Sequence, residues 1–516
     1  MMDNNVYILT TVFITLLGAA LSLLLARYNR VQRIIALITS TIAFAASLGV
    51  LLQVIESGPQ TYRMGGWVPP YGIVLVADNL SALFGFMAAS VMLCGMIYAY
   101  FFKDKAGTYP AFFPLFLMME TGLNGAFYTG DLFSLFVFFE LMVISSVTLT
   151  AISDDRLGLE AAFKYVFISG IGSFFLLLGI AAMYGAFGTL NLADMAQQLQ
   201  AMGAERPLLA NAAAVMLTGA FLLKSAVFPF HFWQPDFHTT APTPVSAMLS
   251  SVIVKVGIYG IIRLITLLFT VEAPQVGQIL IVLGIVGIFF GSFSAMQTYN
   301  GKRLLAYSTI SQIGFILVPL GWYASAPADT DPALRNLALT AAIVYAFSHA
   351  FIKSGLLMTM GLVASYTKPK SADFKDLEGV GRKIPAIVGV LWFLGGMALA
   401  GIPPLSGFIG KLTIVQSGVG TGQWLALFLL VFGGILTTIY MYRAWQYVFQ
   451  TKVEKEAMTV KIKDAGDSAL APAILIGVTV VLGLYARPLV QFAEQTVLNL
   501  NDPDIYINAV RLFTGS

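Results

Sequence analysis

The sequence is poor in charge, in histidine and above all in cysteine. Cys94 is the one cysteine in 516 residues, which excludes an intrachain disulfide and any zinc or iron–sulfur centre built on cysteines. It stands in an apolar segment and reads as a small packing residue. Charged residues make up 11% of the chain and hydrophobic ones 58%, whereas a soluble domain carries about 25% charged residues. An ordinary soluble protein is therefore excluded, and the chain is read as an all-α polytopic membrane protein. The net charge of +3 says little about partners, because most lysines and arginines serve as topological signals; nucleic acid is not expected as one. The first apolar run, 6–26, is long enough to span and ends in the basic RYNRVQR, so it is expected to be a retained helix rather than a cleaved leader.

What is abundant is apolar sequence in windows of spanning length. They recur near 6–26, 32–55, 79–102, 110–129, 132–152, 160–187, 208–230, 244–270, 276–298, 303–323, 336–366, 384–416, 423–449 and 468–495, which predicts about fourteen spans. If loops alternate sides, those after odd-numbered spans hold seventeen lysines and arginines, Arg27, Lys103, Lys302, Lys375 and Lys452 among them. The opposite loops hold three: Arg63, Arg206 and Arg335. By the positive-inside rule both termini are expected on the non-cytoplasmic side of a prokaryotic plasma membrane. The charged stretches 367–383 and 450–467 read as connectors, the lysines at 452–463 as a solvated loop.

Two windows are interrupted. In FLLKSAVFPFHFWQPDFHTTAPTPVSAMLSSVIVKVG, 221–257, Lys224 lies inside an apolar run that is expected to break at Pro229, and Lys255 lies inside the next run. A lysine at the bilayer centre costs roughly 2.5–3.5 kcal/mol on insertion scales, and a helical proline removes a backbone hydrogen bond. The other break is GIPPLSGF, where Pro403 and Pro404 precede Lys411. Corresponding broken helices point to inverted repeats with a pathway at their junction. The chain thus divides into an N-terminal three-helix segment (1–109), a first repeat (110–270), a second repeat (271–449) and a last charged loop, span and tail (450–516).

The charges inside the spans carry the functional reading. They are Glu140, Lys224, Lys255, His349, Lys353 and Lys411. His349 and Lys353 are four apart and share a helix face, so a proton can pass between them directly or through one water. Burial disfavours an ammonium ion and a nearby carboxylate restores it, so a lysine whose carboxylate partner moves is a proton switch. Plainer readings stand beside this one. Glu140 can simply neutralise a lysine for folding, and Lys164 and Arg443 near helix ends are expected to snorkel. His231 and His238 flank the first break, as entry relays or as caps of irregular backbone. Glu120, in MMETGLNG, is a buried acid with no evident partner, divided between pathway and structure. Glycines such as those of SGIGSFFLLLG read as helix-packing positions. No cluster of oxygens suited to Na+ is evident, and no metal site is expected.

The segments TGDLFSLFVFFELMVISS, KSAVFPFHFWQPDFHTTAPTPVSAMLSS, AYSTISQIGF, HAFIKSG and AGIPPLSGFIGK resemble the antiporter-like subunits shared by respiratory complex I, membrane-bound hydrogenases and Mrp-type multisubunit cation/proton antiporters. GGWVPPYGIVLVADNLSALF, NGAFYTGDLF and the overall length are most similar to the D-type subunits of the Mrp group. The resemblance implies fourteen helices with two inverted five-helix repeats and broken helices 7 and 12. It further implies that Glu140 is the acid of the fifth helix, Lys224 its partner in the seventh and Lys255 the relay of the eighth. His349 and Lys353 would be the relay of the eleventh, and Lys411 the terminal lysine of the twelfth, where some relatives carry glutamate.

The expected function is that of a proton-translocating subunit in a multisubunit Na+ or K+/H+ antiporter, working in the lipid bilayer beside other membrane subunits and without nucleotide, haem or flavin. The alternatives are a pump module of a redox complex of the complex I or hydrogenase type, in which chemistry elsewhere drives the same relay, and a scaffold whose charges only hold helices together.

Overall fold

The computed structural model describes residues 5–67, 69–152, 154–451 and 461–511. Lys452 and Lys455 of the expected solvated loop lie outside the described residues. In chain order the main helices are α1 Val6–Leu24, α2 Asn29–Ser57, α3 Asn79–Tyr100, α4 Phe112–Tyr128, α5 Leu132–Ala151, α6 Arg156–Phe187, α7 Leu192–Met202, α8 Leu208–Lys224 and α9 Gln234–Thr240. They continue with α10 Thr243–Leu268, α11 Ala273–Gln297, α12 Gly301–Ser325, α13 Pro332–Ser365, α14 Ala386–Ala400, α15 Ser406–Gly420, α16 Trp424–Gln450, α17 Leu470–Leu484, α18 Arg487–Leu500 and α19 Pro503–Arg511. The molecule is a nearly all-helical polytopic membrane protein. A hairpin, Gln60–Arg63 paired antiparallel with Val74–Ala77, closes the loop between α2 and α3.

Each of the fourteen expected windows holds helix, but among the described residues ten helices are long and apolar enough to cross a membrane, twelve if bent pairs count as one. The shortfall of four has local causes, the first being that α4, in window 110–129, has only 17 residues. The helix in window 208–230 stops at Lys224, window 384–416 is split between α14 and α15, and α17 turns by 79° into α18 at Arg487–Pro488. That last bend corrects the reading of 468–495 as one straight span: Pro488 denies the ladder an N–H, and the residues beyond it are amphipathic. The amphipathic α7 was not expected at all. Asn191 caps it by accepting from the Ala193 and Asp194 amides, and it buries Leu192, Met195, Ala196 and Leu199.

Burial varies widely among the spans. In α1, α2, α6, α11 and α16 only 39% of the most apolar window is buried, as befits helices with a face to lipid. In α10 and α13 the figure is 100%. These wholly enclosed helices carry Lys255, His349 and Lys353, so the ionisable groups occupy the centre of the bundle, where protein rather than lipid surrounds them.

Candidate functional site

The first centre forms where α5, α6 and α8 meet. Lys224 is the last residue of α8, and the helix ends there because Ala226 takes a left-handed conformation (φ 53°) while the Ser225, Ala226 and Val227 amides bond back to the Phe221, Leu223 and Leu222 carbonyls. The break thus falls on the lysine, five residues before Pro229, which sits in the turn beyond it. Lys224 Nζ lies 3.2 Å from Glu140 Oε1 of α5, 2.7 Å from Ser169 Oγ and 2.9 Å from Ser173 Oγ of α6. Ser173 Oγ also donates to Glu140 Oε1, so the serine bridges acid and base. The lysine side chain is 3% exposed and the carboxylate 26%, so the pair is buried on the cation side and open on the anion side.

The second centre joins α10, α12 and α13. Lys255 Nζ is 2.6 Å from His349 Nδ1, and both residues are fully buried. The sequence suggested exchange between His349 and Lys353; the resolved bond runs instead across helices to Lys255, and Lys353 Nζ donates to Ser308 Oγ of α12. Among the described residues His349 Nε2 has no partner. Lys255 follows a wide π-helical turn, Leu249–Ile253, of a kind frequent at functional sites. The Ser250 hydroxyl of that turn meets Thr309 Oγ1 at 2.5 Å, next to Ser308.

One turn before His349, Tyr345 donates to Gln312 Oε1, while Gln312 Nε2 donates to Tyr440 and to Thr437, each at 3.2 Å. This polar chain leads towards the second break. There α14 ends at Ala400, with Gly401 in the left-handed region (φ 86°) and its amide bonded to the Met397 carbonyl. Lys411, on α15, reaches back to the Leu399 and Ala400 carbonyls at 2.9 and 3.1 Å and lies over the Phe315 ring. Pro403 and Pro404 occupy the turn between the two half-helices.

The remaining sequence candidates separate. His238 Nδ1 lies 2.8 Å from Ser246 Oγ, its Nε2 is unpartnered among the described residues, and the cations that act on it are Lys353 and Lys302. His231 packs between the Phe228 and Phe290 rings, away from the lysines' hydrogen bonds. Glu120 does have a partner, Ser40 Oγ at 2.6 Å, in a separate region. Arg443 donates to the Met296 and Thr298 carbonyls at the end of α11. Lys164 is held by Glu160 and Asp236, each at 2.7 Å. Sequence reasoning missed Ser169, Ser173, Ser308, Gln312 and Tyr345. The four-residue spacing of Ser169 and Ser173 on a lysine-facing helix was the available signal. A polar cavity of about 850 Å³ is lined by Asp104, Asp236, Thr239, Lys302 and Lys370 among others, Thr239 being the chain neighbour of His238. Lys302 Nζ donates to the Ala241 carbonyl in its wall at 3.0 Å.

Fold and centre together define a helical membrane protein with paired and unpaired cations threaded through its enclosed helices. Residues 129–437 match the family described as NADH:quinone oxidoreductase/Mrp antiporter, TM, and the chain belongs to that family. It is 30% identical over 509 residues to the D-type subunit of the Na(+)/H(+) antiporter of Alkalihalophilus pseudofirmus, covering 98% of this chain and 99% of that protein. A solved chain of the Mrp complex from Dietzia sp. superposes with a TM-score of 0.85 at 25% identity, covering 98% of this chain and 99% of that one. A chain of the membrane-bound sulfane sulfur reductase, an archaeal respiratory membrane complex, does so with a TM-score of 0.86 at 26% identity, covering 98% and 100%.

Proposed function

We propose that the chain is the proton-translocating subunit of a multisubunit Na+ or K+/H+ antiporter of the plasma membrane, driven by the proton motive force. The observation that carries this reading is the Lys224 site: a buried ammonium shared between one carboxylate and two serines, so that a small movement of Glu140 changes whether the lysine is charge-balanced. Protons enter by the polar cavity beside Lys302 and pass His238. They load the Lys255–His349 pair and Lys353, and leave at Lys411. Glu140 and Lys224 gate the transfer. The two breaks support an assignment of 110–270 and 271–449 as inverted repeats about this row, after the N-terminal segment 1–109. The relatives support a transporter subunit working among other membrane subunits rather than a catalytic enzyme.

The test is cation-induced dequenching of a pH-sensitive dye in everted vesicles carrying the whole complex. Glu140→Ala is expected to abolish exchange while the complex still assembles; normal exchange would end the gating role. A second reading, a pump module driven by redox chemistry in partner subunits, is favoured by the likeness to the archaeal respiratory complex. Purification through a tag on this chain separates the two: flavin or iron–sulfur absorbance in the purified complex supports the redox reading, and colourless small membrane subunits support the antiporter.

A further inference from the structure

Away from the lysine row, α1, α2 and α4 enclose a second polar seam. Glu120 of α4 is wholly buried; its Oε2 accepts from Ser40 Oγ of α2, and among the described residues its Oε1 has no partner. Among the described residues no lysine or arginine pairs with it. Asn124, one turn on, is also wholly buried. Its Nδ2 donates to the Thr11 carbonyl of α1 at 3.1 Å, which fixes the amide's orientation, because a carbonyl only accepts, and leaves Oδ1 without a partner. Beside them Thr121 Oγ1 donates to Thr15 Oγ1 of α1 at 2.8 Å. Positions 120 and 124 lie on one helix face.

Gln32, nearer the other end of α2, repeats the pattern. Its Nε2 is held by the Ser22 and Pro110 carbonyls at 2.9 and 2.8 Å, so its Oε1 is again the free group. Both N–H groups of the Gln32 amide and one of Asn124's are thus engaged, and the orphans at Glu120, Asn124 and Gln32 are all acceptor oxygens. Buried acceptors left dry are costly, and an unpaired buried carboxylate more so. Oxygen atoms are what a hard cation selects. Among the described residues no group of three His, Cys, Asp or Glu side chains is placed to hold a metal ion. With one carboxylate among neutral oxygens, the seam suits a monovalent ion.

We propose that Glu120, Asn124, Ser40 and Thr121 form a binding site for a dehydrated alkali cation of the Na+ class, exchanging with a proton on Glu120. The lysine row cannot serve as that seat, since its ammonium groups repel a cation that the seam's oxygens attract. A cavity of about 1250 Å³ has Thr10 of α1 and Ala46 of α2 in its wall, and Thr10 adjoins Thr11, whose carbonyl holds Asn124. A proton and a cation competing for one carboxylate is the elementary requirement of exchange. The inference rests on the antiporter reading for its physiological meaning, but binding is measurable without transport.

The experiment treats the purified whole complex with dicyclohexylcarbodiimide, which attacks buried protonated carboxyls, in sodium chloride or choline chloride, and quantifies modified peptides by mass spectrometry. Sodium at about ten times its dissociation constant is expected to slow labelling of Glu120 roughly tenfold and leave that of Glu140 unchanged. Equal rates at Glu120 in both salts would overturn the site. In parallel, sodium is expected to raise the Tm of the complex over choline, and Glu120→Gln to lose that rise; should that variant fail to assemble, Asn124→Leu replaces it. Absence of a sodium-specific rise in the unaltered complex also overturns the site. Protection of Glu120 without exchange would refute the antiporter reading alone, and exchange without protection would refute this site alone.

Discussion

Lys224 and Lys411 both stand at broken helices, yet they are held in different ways. Lys224 ends its half-helix and finds its partners on other helices: a carboxylate and two hydroxyls. Lys411 belongs to the half-helix after the break and reaches back to the last carbonyls of the half-helix before it. Those carbonyls form the negative end of a helix dipole, equivalent to about half a charge. The Lys224 centre therefore sets its cation against a side-chain acid supplied by another helix. Lys411 is only partly balanced, by main chain that is fixed to its own helix pair. On the function proposed above, the same residue type at the same kind of break would serve as a switch in one place and as a fixed terminus in the other.

Removing partners should separate the two most clearly. Glu140→Gln leaves Lys224 buried without a counter-charge, and losing one member of a buried pair costs about 3–5 kcal/mol. Glu140→Gln with Lys224→Met should recover most of that loss in the Tm of the purified complex while exchange stays absent. Lys411→Met orphans no opposite charge, so its thermal cost should be distinctly smaller even though exchange is lost. Equal destabilisation by Glu140→Gln and Lys411→Met would remove the distinction between switch and terminus.

The turn residues give a sharper contrast. Both breaks use a left-handed residue just after the first half-helix, but one is Gly401 and the other Ala226. A Cβ at Gly401 would lie 2.6 Å from Lys411 Cδ, so Gly401→Ala adds a clash to the backbone strain and should cut exchange about tenfold with the complex still assembled. Ala226→Gly relieves about 1 kcal/mol of left-handed strain and should raise the Tm slightly, leaving exchange near normal. Exchange assays and thermal melts on the pair of variants check both signs.

The parts legible beforehand were those written in apolar length and misplaced charge. A lysine inside a run of leucine and phenylalanine is visible wherever it stands, so Lys224, Lys255, Lys353 and Lys411 could be named from the sequence, and the structure places them at the centre of the bundle or at its breaks. Partners contributed by other helices were not legible. Nothing in the sequence near 349 indicates that His349 faces Lys255 rather than Lys353, because that depends on how α10 and α13 are rotated against each other. Serines are equally quiet, being common at helix-packing positions, so Ser173 shows its role only when α6 is laid against α5 and α8. The end of α8 at Lys224 was hidden because Pro229, the louder signal, lies five residues downstream. The bend before α18 was read as continuous span because the apolar count outweighed one proline.

The two serines offer the smallest test of the comparison. Ser169 touches Lys224 alone, whereas Ser173 touches both Lys224 and Glu140. Each hydrogen bond to a charged group contributes about 1.5–3 kcal/mol at most, and water reaching the open side of Glu140 can replace part of it. Ser169→Ala should therefore lower exchange a few-fold without changing the cation concentration at half-maximal rate. Ser173→Ala should lower it somewhat further and also shift the pH at which exchange is half-maximal, because it removes the link through which the acid senses the base. If the two variants behave alike in both rate and pH profile, Ser173 is a second ligand of the lysine, and the switch consists of Glu140 and Lys224 alone.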